Sequence, residues 1–186
     1  GISRFSSGGV ERKVAVVFPD DPQPGMPVVF NFHGLTNTGS DPVEGSLTQI
    51  QAEAEVNDSV IIMPEARATS LPLIGEMLIW GILDDEELDL TLFDDLRTCA
   101  SSELDVDLKK LSTWGHSGGA LWSTAMLMER STSLAAVVEF SGGADFSIPG
   151  LGGPYLTYST PERQVPVMLT SGGSEDSWPQ GFPVFD

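Results

Sequence analysis

The segment STWGHSGGALWS, residues 112–123, sets Ser117 between Gly115 and Gly119. A G-x-S-x-G run is the pattern of a nucleophile elbow, a strand-to-helix turn so tight that side chains two positions from the serine would collide. Such a turn lifts the serine hydroxyl to the N-terminal end of a helix. Free backbone N–H groups and the positive helix end lie there to stabilise an oxyanion. The chemistry implied is attack of Ser117 Oγ on an acyl carbon. A serine hydroxyl needs a base for this, and the chain has two histidines, His33 and His116. As a bare pattern the elbow is weak, and the alternative is a Gly-rich turn with a surface serine.

Two further stretches complete a possible site. FNFHGLTNTGSD, residues 30–41, reads as a strand ending in His-Gly and then a polar loop. In an elbow architecture that loop supplies the second oxyanion N–H, so the expected donors are the backbone amides of Leu35 and Gly118. His33 is expected to hold the loop with its ring. VPVMLTSGGSEDSWPQ, residues 165–180, reads as a late buried strand followed by Glu175 and Asp176. A triad acid belongs at such a strand end, after the serine in chain order. Asp176 is the first choice and Asp145, after LAAVVEFSGGA, is the second. Trp178 and Trp80 are candidates for an aromatic substrate wall, while Trp114 and Trp122 flank the elbow as packing residues.

These residues need a scaffold. Strand-length apolar runs occur at VAVVF (14–18), PVVFNF (27–32), SVIIMP (59–64), KLSTWG (110–115), LAAVVEF (134–140) and VPVMLT (165–170). Helical spacing occurs at 46–56, 91–104 and 119–130. The alternation predicts an α/β fold with a mostly parallel sheet covered on both faces. The stretch 66–90 has no clean period and reads as a loop region.

The length of 186 residues suits one domain spanning 1–186. Nine basic residues face 27 acidic ones, a formal charge of −18. Phosphate-rich partners would be repelled, so nucleic acid and anionic membrane surfaces are disfavoured. No run approaches the roughly 20 apolar residues of a membrane span. Cys99 is the sole cysteine, so neither an internal disulfide nor a cysteine cluster for metal can form; it reads as a small apolar side chain. The chain opens at Gly1 without a methionine and is read as a processed or trimmed product whose signal peptide is already gone.

In this order the motifs form a pattern. The chain resembles the α/β-hydrolase superfamily, and more narrowly the secreted esterases that include polyhydroxybutyrate depolymerases and feruloyl esterases. The resemblance rests on SSGGVERKVAVVFP, PVVFNFHGLTNTGSD, VIIMPEA, FDDL, GHSGGALWS, VVEFSGG and VPVMLTSGGSED, and it covers nearly the whole chain. It implies antiparallel opening strands, ester hydrolysis through a Ser-Asp-His triad, no cofactor, no metal and an extracellular or periplasmic location. It carries Ser117 to the nucleophile and Leu35 to the oxyanion position. Gly173 and Asp176 fit the family's Gly-x-x-Asp pattern at the acid.

One departure stands out. The family's histidine follows the acid beyond a further strand, and no histidine follows Asp176 here. His116 is adjacent to Ser117 in a turn whose neighbouring side chains diverge. His33 belongs to the oxyanion loop. Neither is placed to reach the serine oxygen at hydrogen-bond distance while an acid holds it. The fold is therefore expected to lack its last strand and helix within these residues. The histidine would come from a missing C-terminal segment or a second polypeptide. Alternative readings are a non-catalytic binding module that has lost its base, and a peptidase or thioesterase on the same fold.

Overall fold

The computed structural model describes residues 1–71, 75–83, 85–144, 146–148, 152–173, 177–178 and 182–183. The chain begins with an antiparallel pair, β1 (Ile2–Ser7) and β2 (Val10–Val17). Then come β3 (Met26–Phe32), the short β4 (Thr36–Asn37), α1 (Pro42–Gly45), α2 (Leu47–Val56) and β5 (Val60–Pro64). A hairpin follows, β6 (Arg67–Leu71) and β7 (Gly75–Ile79), and after it α3 (Glu86–Glu103). The elbow elements are β8 (Val106–His116) and α4 (Gly118–Arg130), followed by β9 (Ala136–Phe140). The remaining strands are β10 (Phe146–Ile148), β11 (Gly152–Leu156), β12 (Val167–Thr170), β13 (Ser177–Trp178) and β14 (Phe182–Pro183).

Seven strands form the central sheet in the order β1-β2-β5-β3-β8-β9-β12. Strands β5, β3, β8, β9 and β12 run parallel, and β2 meets β5 antiparallel. This is the mostly parallel sheet that the alternating apolar runs predict. Its central strands are apolar on both sides because both sides are covered. From β3, Val28, Phe30 and Phe32 enter a core with Leu92, Phe93 and Leu96 of α3 and Trp122 and Met126 of α4. Val29, one residue out of phase, enters the opposite core with Val43 of α1 and with Ile50 and Ala54 of α2. The period-two alternation of a strand thus feeds two cores from one sequence run.

Two sequence expectations change. The stretch 66–90 is not a loop. It holds the β6–β7 hairpin, which forms a small antiparallel sheet with β4, a single 3-10 turn at Gly81–Leu83, and the start of α3. Helix α3 begins five residues earlier than its apolar spacing indicates, because Glu86, Glu87 and Asp89 occupy its first turn. Carboxylates are favourable at the positive end of a helix. Asp89 also has a buried partner. Arg12 on β2 donates to its Oδ1 at 2.7 Å, and the Gly81 amide donates to its Oδ2 at 2.8 Å. Burial pushes the Asp89 carboxyl up and the Arg12 guanidinium down, while each charge opposes the other's shift.

Strand β12 is the second change. The sequence reads as a buried strand, yet Val167, Met168 and Leu169 are 41%, 54% and 60% exposed. The strand pairs with β9 along one edge and ends the sheet order among the described residues. Apolar composition does not bury a strand when no described element lies over its faces.

Candidate active site

The C-terminal ends of the parallel strands meet at one edge. Phe32 pairs with Gly115, His116 with Phe140, and Phe140 with Thr170. Just past this edge stands Ser117, with φ +53° and ψ −119°. A non-glycine residue with positive φ is held there by its surroundings. Its amide donates to Phe140 O at 2.9 Å, and its carbonyl accepts from Ala120 N at 2.9 Å and Leu121 N at 3.1 Å. One residue therefore ends β8 and starts α4.

The flanking glycines are fixed by contact. A Cβ on Gly115 would sit 2.0 Å from Gly119 O, and a Cβ on Gly119 would sit 2.0 Å from Phe32 O. No side chain fits at either distance. The loop after β3 closes over the elbow. A Cβ on Gly34 would lie 3.3 Å from Ser117 Cβ, and a Cβ on Gly118 would lie 3.1 Å from Leu35 N. The Leu35 and Gly118 backbones thus approach each other beside Ser117. Gly118 opens α4, where the first N–H groups have no acceptor inside the helix.

His33 is buried and fully engaged. The Ala66 amide donates to its Nε2 at 2.9 Å, so Nδ1 carries the hydrogen and donates to Gly34 O at 2.7 Å. Burial pushes its pKa down to about 4, partly opposed by the Gly34 bond, so the ring is neutral near pH 7. His116 is exposed at the end of β8. Among the described residues, neither ring is hydrogen-bonded to the Ser117 hydroxyl.

Trp80 requires a correction. It is 1% exposed, so it offers no ring face to a substrate. Its indole stacks on Trp122 with centroids 6.0 Å apart and meets Phe32 edge-on at 4.9 Å. Its Nε1–H donates to His33 O at 2.8 Å. An apolar body in the core and a polar tip on the loop is an arrangement tryptophan suits. Both feet of the β6–β7 hairpin, Ala66 and Trp80, therefore grip His33. Strand β7 also pairs with Thr36 and Asn37 just beyond Leu35. The segment Gly34–Leu35 is clamped from both sides. Sequence reasoning missed this clamp because nothing local reports where the Trp80 ring points.

Neither a protein-family model nor a curated protein sequence matches the chain. Solved structures match it. The crystal structure of native sOPH aligns with a TM-score of 0.72 at 20% identity, over 99% of this chain and 70% of sOPH. EstE1, a thermophilic and thermostable carboxylesterase cloned from a metagenomic library, gives 0.60 at 17% identity, over 79% of this chain and 48% of EstE1. A ferulic acid esterase gives 0.59 at 16% identity, over 76% of this chain and 59% of that one.

This chain has the α/β-hydrolase fold.

Within that fold, Ser117 lies at the elbow and Leu35 lies in the loop facing it. Asp176, Glu175 and Asp145 lie outside the described residues. Trp178 lies in β13, and its side chain is likewise outside them. Trp122 is buried in the core with Phe32 and Met126, and Trp114 packs in the opposite core. Cys99 is half-buried on α3. No cluster of three or more potential metal ligands occurs among the described residues. No helix among them is long and apolar enough to cross a membrane.

Proposed function

We propose that the protein is a serine hydrolase of carboxylic esters, acting through an acyl-enzyme on Ser117. The observation that carries the reading is the strained Ser117 at the head of α4, with the Leu35 amide beside Gly118. Ser117 Oγ attacks the ester carbonyl while a histidine takes its proton. The Leu35 and Gly118 N–H groups hold the oxyanion, where preorganised donors act most strongly. Collapse expels the alcohol, and water then releases the acid by the same route. Asp176 is the acid that orients the histidine. In this reading the histidine comes from outside these 186 residues, from a further segment or a second polypeptide. Two observations support that. Both nitrogens of His33 are already engaged, and β12 exposes an apolar strand with an edge that no described strand pairs, on which such a segment would pack.

The similarity to a carboxylesterase and a ferulic acid esterase favours esters over amides, and short acyl, polyester and feruloyl or acetyl esters are the substrates to try first. The test uses the full-length protein. It should turn over p-nitrophenyl esters and be labelled by a fluorophosphonate at Ser117. Ser117→Ala should abolish labelling and lower kcat by about 10⁶-fold, the scale found when such a serine is removed. Undiminished turnover in that variant would overturn the proposal. A folded full-length protein that neither turns over esters nor labels would favour the non-catalytic binding module.

A further inference from the structure

Glu139 is a carboxyl in the core. It is 2% exposed, on β9, one residue before the Phe140 carbonyl that holds the Ser117 amide. Its Oε1 lies 2.8 Å from Thr124 Oγ1 on α4, and Thr124 is itself 2% exposed. Thr124 Oγ1 also lies 2.8 Å from Gly143 O. A threonine hydroxyl has one hydrogen, and it cannot serve both acceptors. If Glu139 is ionised, one of the two goes without. If Glu139 is protonated, the carboxyl donates to Thr124 and Thr124 donates to Gly143, so each oxygen in the chain is used. Among the described residues, Glu139 Oε2 has no hydrogen-bond partner, which an ionised carboxylate in the core would tolerate badly.

The turn that receives this hydrogen bond is packed against the elbow. A Cβ on Gly142 would fall 2.4 Å from Ala120 Cβ in the first turn of α4. Ser141 has φ +55°, and its amide donates to Thr170 O at 2.8 Å. Among the described residues, those facing Glu139 are uncharged: Thr124 from α4, Gly115 in register on β8 and Leu169 in register on β12.

We propose that Glu139 is a positioning residue, held as a neutral acid whose proton completes a relay through Thr124 to the Gly143 carbonyl and so fixes the turn after β9 against the nucleophile helix. Burial pushes the Glu139 carboxyl up to about 7, and the Thr124 bond opposes this in part. An unfolded glutamate titrates near 4.5. Between these values the folded state binds the extra proton, so this group's contribution to stability falls as pH rises across that window. His33 acts in the opposite sense. Its folded pKa of about 4 lies below the unfolded 6.5, so its contribution grows as pH rises from 4 to 6.5. The two slopes oppose each other in the wild type. A difference between variant and wild type separates them.

The inference does not depend on ester hydrolysis, and its test reads folding. A glutamine amide donates to Thr124 as the protonated acid does. Glu139→Gln should melt with the wild type at about pH 5 and several degrees above it at about pH 8. A difference in Tm of equal size at both pH values would overturn the proposal. Hydrogen exchange reads the turn. After correction for intrinsic rates, protection of the Ser117 amide should drop above about pH 7 in the wild type and stay level in the variant. Equal protection across that range in the wild type would also overturn it. Infrared titration of the wild type needs no variant. A protonated-carboxyl band should persist and titrate near 7; loss of every such band by about pH 5 would overturn the neutral acid.

Discussion

At the scale of single residues, a Cβ on Gly115 would fall 2.0 Å from Gly119 O within the turn, and one on Gly119 would fall 2.0 Å from Phe32 O on β3, so contact requires both glycines around Ser117. The Trp80 ring turns into the core because its partners, His33 and Trp122, lie far along the chain. Its clamp makes a test. Trp80→Phe removes one N–H and keeps most of the ring's bulk. A buried His33 carbonyl left without a donor should cost about 1–3 kcal/mol of stability. In the proposed ester hydrolysis Leu35 would then be held less firmly, so kcat should fall while KM changes little. The loss should be smaller than the about 10²–10³-fold that follows removal of an oxyanion donor. Steady-state kinetics and denaturant melts read both effects, and a change in KM alone would contradict the clamp.

At the scale of elements, the helices and parallel strands were legible because period and length agree. Helix α4 and strands β3, β5 and β9 lie where their apolar runs predict. The region 66–90 was not legible, since its order comes from pairing with β4 and from the buried Arg12–Asp89 bridge between β2 and α3. Both charges are nearly inaccessible, at 4% and 0% side-chain exposure. Arg12→Met would leave Asp89 buried without its cation and should lower stability by about 3–5 kcal/mol. Replacing both residues, Arg12→Met with Asp89→Leu, should recover much of that loss. Urea titrations of the two variants decide it. A single variant within 1 kcal/mol of the wild type, roughly the worth of an exposed pair, would contradict the role given to the bridge.

At the scale of the whole molecule, the charge of −18 repels itself in the folded state. Raising NaCl from about 0.01 to about 0.15 M shortens the screening length from about 30 to about 8 Å and should raise Tm. A Tm that falls with salt would show that attractive pairs outweigh the net repulsion. The amino-acid pattern alone reports the parallel core strands, the helices between them outside 66–90, the elbow and the acidic net charge, because each depends on neighbours in the chain or on composition. It also determined that only two histidines are present. Tertiary structure decided what those residues do for one another. It set both feet of a hairpin on His33, turned Trp80 inward, hid Glu139 behind Thr124 and left β12 exposed. Each of these depends on which distant segments share a surface, and no spacing along the chain encodes that.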